Sequence, residues 1–190
     1  MILLRVWMWE SVQNLPLLLG FFCAARVWQD QIGLGLLLLL AGNGLGILIM
    51  HYTEPKLHKV KYAVNWKGDL INFVLFTVIA IPFIYYFNAD NRWINWKTDL
   101  IAGIAVGILL TAGQSLSWSG EKSRMVLHGI AMAVSFPLIM ICLRYTLQVE
   151  AWPAALLLTL LTTLLASLVI ALIDYQEMYR KQASSPPLGR

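Results

Sequence analysis

The residues of this chain whose types could do chemistry are few, and they lie inside apolar stretches. Glu10 and His128 each sit a few residues inside such a stretch. A carboxylate there needs a partner, and an imidazole there can pass protons near neutral pH, so the two are the candidate proton-coupled pair. Asn43 stands between Gly42 and Gly44 near the centre of its stretch, and Gln114 follows Gly113 in another. Their carboxamides are the candidate substrate- or ion-binding groups. A glycine-flanked segment of this kind can unwind and free backbone groups for a ligand. The same residues can instead form a small face for close helix packing, with the amide bonding across it. Gly35, Gly42 and Gly46 share one helical face, Gly103 and Gly107 form a GxxxG, and the two stretches are expected to pack against each other.

Other chemistries find little support. His51, Glu54 and His58 have the spacing of metal ligands, but Pro55 is expected to take Glu54 out of helical geometry, and Lys56 and Lys59 add repelling charge. No metal site and no cofactor are expected. Cys23 and Cys142 read as reduced packing residues. The chain holds no HExxH, GxSxG, P-loop or CxxC motif, which disfavours an enzyme of familiar type.

The elements that must position these groups follow from composition. Of 190 residues, 59% are hydrophobic and 13% charged, and the mean hydropathy is +0.69. A soluble domain carries about 25% charged residues, so a soluble fold is excluded, as are disorder and a disulfide scaffold. Crossing a bilayer takes about 20 mostly apolar residues. Six such runs are present: 6–27, 31–51, 69–88, 98–118, 125–146 and 151–173. The first is the weakest, interrupted by Glu10, Gln13, Asn14 and Pro16. The expectation is an all-α, polytopic integral-membrane helical bundle of about six transmembrane helices. It forms one transmembrane domain over residues 1–181, with a disordered tail at 182–190.

Tryptophan and charge supply the orientation. Trp7, Trp9, Trp28, Trp66, Trp93, Trp96, Trp118 and Trp152 fall at the proposed span ends, as an interfacial aromatic belt would. Of the Lys and Arg residues, only Arg26, Arg92, Lys97 and Arg144 belong to one set of ends, and the rest belong to the other. Positive charge is retained inside, so both termini are expected in the cytoplasm, in a bacterial plasma (inner) membrane. Lys56, Lys59, Lys61 and Lys67 then form a basic collar for anionic lipid headgroups, which accounts for the net charge of +4 without nucleic acid.

Two further patterns bear on function. Asn65 to Ile71 and Asn95 to Ile101 are near-identical, and the shared Trp-Lys-x-Asp is expected to anchor the interface with Asp69 and Asp99 capping the following helices. Polar residues also cluster by depth. Glu10, Asn14, His51, Asp69, Asn72, Gln114, His128 and Asp174 all fall in the cytoplasmic third, and the outer half reads as nearly bare. Such groups turn inward or line a wet vestibule. The leading expectation is therefore a small transport or channel-type protein with a cytoplasm-facing polar cavity. The alternatives are a non-catalytic subunit or scaffold, bound to a second copy or to other membrane subunits, and an intramembrane enzyme using Glu10 or His128 on a lipid-like substrate.

Overall fold

The computed structural model describes residues 2–58, 66–89, 95–115 and 122–184. Among the described residues the chain is all-helical, with six helices: α1 (Ile2–Val27), α2 (Ile32–His58), α3 (Trp66–Asn88), α4 (Trp96–Ser115), α5 (Lys122–Gln148) and α6 (Trp152–Ser184). Local chemistry sets several of the ends. After α1, the amides of Asp30 and Gln31 donate to the Val27 carbonyl at 3.2 and 2.8 Å, which closes a tight turn into α2. Asn95 caps α4: its Oδ1 accepts from the amides of Lys97 and Thr98 at 2.9 and 3.3 Å, and its own amide donates to Thr98 Oγ1 at 2.8 Å. Pro153 lies in the first turn of α6, where a missing N–H is no loss.

Three of these helices are long and apolar enough to cross a membrane, among the described residues: Ile32–Tyr52, Gly129–Gln148 and Trp152–Leu172, with mean hydropathy 2.2, 1.8 and 2.5. α3 adds a shorter apolar segment, Phe73–Asn88. α1 carries Glu10, Gln13 and Asn14, and α4 carries Lys97 and Asp99, so neither is apolar throughout.

Two boundaries differ from the sequence reading. α2 stays helical through Glu54 and Pro55 to His58, because a helix can pass a proline at the loss of one hydrogen bond. α6 continues past Gln182 to Ser184, since nothing before Pro186 breaks a run of good helix formers.

α1 packs on α2 and α6, and α5 packs on α4 and α6, which makes an arc in the order α2, α1, α6, α5, α4. α3 fills the mouth of that arc, resting more lightly on α1, α2 and α4. The bundle therefore has two ends. One gathers the C-termini of α1, α3 and α5 with the N-termini of α2, α4 and α6, and is called here the Asp99 end; the other is the Glu10 end.

Glycine sets the closest approaches. A Cβ on Gly42 would lie 2.5 Å from the Pro16 carbonyl oxygen and 2.6 Å from the Gly20 Cα, while Gly35 faces Trp28 and Gly46 faces the Gln13 carbonyl. A Cβ on Gly103 would lie 2.5 Å from Pro137, and one on Gly107 would lie 2.6 Å from the Met132 carbonyl oxygen. Both glycine faces are thus used inside the chain, α2 on α1 and α4 on α5, and not on each other as the sequence suggested. Backbone atoms cannot yield as a flexible side chain can, so Gly42→Leu and Gly103→Leu should each destabilise the detergent-solubilised protein by at least the ~1–3 kcal/mol typical of overpacking. Gly33, with nothing within 4 Å of its Cβ position, is the control. Thermal melts monitored by circular dichroism should show the two Leu variants unfolding early and Gly33→Ala melting at or above the parent.

Candidate functional site at the Asp99 end

Asp99, Arg144 and Tyr86 form the most fully built polar cluster among the described residues. Asp99 is fully buried in the first turn of α4, and the Arg144 side chain, in the last turns of α5, is 16% exposed. Arg144 donates from Nε to Asp99 Oδ2 at 2.5 Å and from Nη2 to Oδ1 at 2.7 Å, while the Tyr86 hydroxyl of α3 donates to the same Oδ1 at 2.9 Å. Both oxygens of the carboxylate are therefore hydrogen-bonded, by three donors in all. The guanidinium also lies over the Tyr86 and Phe87 rings, 5.2 and 5.3 Å from their centroids.

The helix ends explain why charge is tolerated there. A carboxylate is stabilised at a helix N-terminus and a guanidinium at a C-terminus, and antiparallel α4 and α5 bring those two ends side by side. The pairing is bidentate, the strongest geometry available to Arg and a carboxylate.

Neighbouring contacts tie the remaining helices at the same level. Asn88 Nδ2 of α3 donates to the Ala25 carbonyl of α1 at 3.0 Å. Arg26 of α1 donates to the Val149 and Glu150 carbonyls at 2.6 and 2.5 Å and lies 4.7 Å from the Trp152 ring centroid, which fastens α1 to the connection between α5 and α6. Trp28 is buried over Gly35.

Beneath this cluster is a small half-enclosed cavity of about 30 Å³ between α1, α3, α4 and α5, lined by apolar side chains that include Phe21, Phe76, Phe83, Phe136, Ile139 and Leu143. Phe83 touches Tyr86 edge-on at 6.1 Å between centroids, and Phe21 touches Phe87 at 6.0 Å. The aromatic layer under Arg144 is therefore also the roof of the cavity.

The expected site residues are dispersed. Asn43 is 1% exposed, and its Nδ2 donates to the Phe73 carbonyl at 3.0 Å and to Thr77 Oγ1 at 2.9 Å, joining α2 to α3. Its Oδ1 has no hydrogen-bond partner among the described residues. Glu10 is buried on α1. Gly42 faces Pro16 and Gly20, which sets Glu10 about 10 Å from Asn43 along the bundle at 1.5 Å per residue. The Asn14 side chain, one turn on, reaches the Glu10 carbonyl at 2.8 Å and Ser167 Oγ of α6 at 3.4 Å. Gln114 and His128 lie on α4 and α5, with side chains outside the described residues, as are those of Lys56, Lys59 and Lys61. Lys67 is exposed.

Comparison with known proteins supplies no relative. No family model, curated protein or solved structure matches the chain.

Two sequence expectations change here. Asp99 does not cap α4, because Asn95 does so and frees the Asp99 carboxylate to turn inward. The half of the molecule read as bare also holds the buried ion pair. A usable signal was present: Asp99 and Arg144 are opposite charges just inside two successive apolar runs at the same end.

Removing one partner of a buried pair typically costs ~3–5 kcal/mol, because the other charge is left without compensation. Asp99→Asn and Arg144→Leu should each destabilise by that order in denaturation of the detergent-solubilised protein. Asp99→Leu combined with Arg144→Met should recover most of the loss, and a strictly additive double variant would contradict the pairing.

Proposed function

We propose that the chain is a small transport or channel-type protein of a bacterial inner membrane, with six spans and both termini in the cytoplasm, in a state closed at its outer, Asp99 end. The observation that carries this reading is the Asp99–Arg144–Tyr86 tie one helical turn beyond Phe83 and beside Leu143, both of which line the apolar cavity. An ionisable pair between transmembrane helices marks a functional position by default, and one that joins three helix ends above a cavity has the geometry of a closed gate. Asn43, with an unpartnered buried acceptor, supplies a hydrogen-bonding group deeper in the bundle. Glu10, Gln13 and Asn14 line the opposite half of α1. His128 and Gln114 belong by sequence to that same half, where the basic collar of Lys56, Lys59, Lys61 and Lys67 meets anionic headgroups.

A scaffold subunit is the second reading, favoured by the Asn43 amide donating both its protons to α3. Its proposed docking faces are weakened, because Gly42 and Gly107 are already covered by α1 and α5. Gly107→Leu would therefore disturb the chain itself before any partner.

The gate can be tested without knowing the substrate. In a background lacking Cys23 and Cys142, Ile139→Cys places a thiol in the cavity wall. In vesicles, a membrane-impermeant maleimide added outside should label it slowly while Asp99 is intact, and at least tenfold faster in Asp99→Asn. Equal labelling rates in the two would show the pair to be a fixed strut and sink the transport reading. On that reading Asn43→Leu abolishes transport while expression persists.

A further inference from the structure

We infer that the cavity beneath Arg144 receives the hydrocarbon chain of a bilayer amphiphile, which makes the substrate lipid-like; as a statement of substrate class this rests on the transport reading. The lining decides the chemistry. Phe21, Phe76, Phe83, Phe136, Ile139 and Leu143 present only carbon to the space, and Met140 adds a polarizable thioether. Water or an ion placed there would find none of the two to four polar partners it needs, whereas a chain loses nothing by leaving the bilayer for such a wall.

The size and position agree with that occupant. The cavity volume of about 30 Å³ is larger than the ~10–15 Å³ that admits one water molecule. It is therefore room for the end of a chain and not for a bulky ring system. The lining runs from Phe83 to Phe76 on α3 and from Leu143 to Phe136 on α5, about 10 Å of depth at 1.5 Å per residue. Tyr86 follows Phe83 by one helical turn and Arg144 follows Leu143, so the polar cluster on Asp99 belongs to the Asp99 end of this lining. An apolar lining with a hydroxyl and an ion pair towards one end of the same helices suits a hydrocarbon chain that carries a polar head.

The route of entry is the bilayer itself. The space is only half enclosed, and α3, the most lightly packed helix, turns Val74, Val78 and Tyr85 outward on its other face. The molecules that meet that surface in a membrane are lipids. Two residues control occupancy without touching the ion pair: Ala80 and Val106 are small side chains in the wall, and enlarging either fills the space.

The test uses the full chain in lipid nanodiscs that contain a phospholipid with a diazirine in the lower half of one acyl chain. Irradiation followed by peptide mass spectrometry should place adducts on Phe76, Phe83, Phe136 or Ile139 as well as on outward residues such as Val78 and Ile104. In Ala80→Phe and in Val106→Trp, checked as monodisperse by size exclusion, the cavity adducts should fall at least fivefold while those on Val78 and Ile104 stay constant. Adducts confined to outward residues in the parent chain would overturn the inference, as would cavity adducts undiminished in both filled variants. Cavity adducts combined with an Ile139→Cys thiol that stays closed in Asp99→Asn would uphold the chain site and remove the gate. Faster thiol labelling without cavity adducts would do the reverse.

Discussion

A charge buried away from water is costly unless it is paired and hydrogen-bonded within the protein. Asp99 meets that demand with three donors drawn from two other helices. Its position at the start of α4 and that of Arg144 near the end of α5 let each helix stabilise its own charge before the pair forms. Once Asp99 is satisfied in this way, the end of α3 is held by Tyr86, and the aromatic layer of Phe83, Tyr86 and Phe87 is fixed as the roof of the cavity. Asn88 and Arg26 extend the same logic to α1 and to the start of α6. The Asp99 end is thus held by ionic and aromatic ties, while towards the other end Asn14 reaches the Glu10 carbonyl and Ser167 Oγ.

Much of the helical layout was legible in the sequence, because run length and charge punctuation are one-dimensional signals. Glycine was legible in part. The shared face of Gly35, Gly42 and Gly46 could be read from spacing, whereas its partner could not, since nothing in the spacing says which neighbour comes close. Helices that are apolar on nearly every side give no amphipathic stripe to point their inner face, and so the pairing of α2 with α1 and of α4 with α5 had to come from the structure.

Asp99 shows the limit most clearly. In the repeated Trp-Lys-x-Asp it is indistinguishable from Asp69, and a carboxylate early in a helix is an ordinary cap. What the repeat does not reveal is the partner of Asp99, Arg144, 45 residues away. Arg144 was itself read as one of the few outer loop charges, a use that discards its depth. Pro55 departed from expectation for a similar reason: the proline is carried within a continuous helix.

The account turns on whether Asp99 holds the ends of α3 and α5 together. Spin labels at the exposed positions Tyr85→Cys and Tyr145→Cys, in a chain without Cys23 and Cys142, report that separation by double electron–electron resonance in nanodiscs. With Asp99 intact the distance distribution should be single and narrow, and in Asp99→Asn a second, longer population should appear. The same narrow distribution in both would contradict the claim.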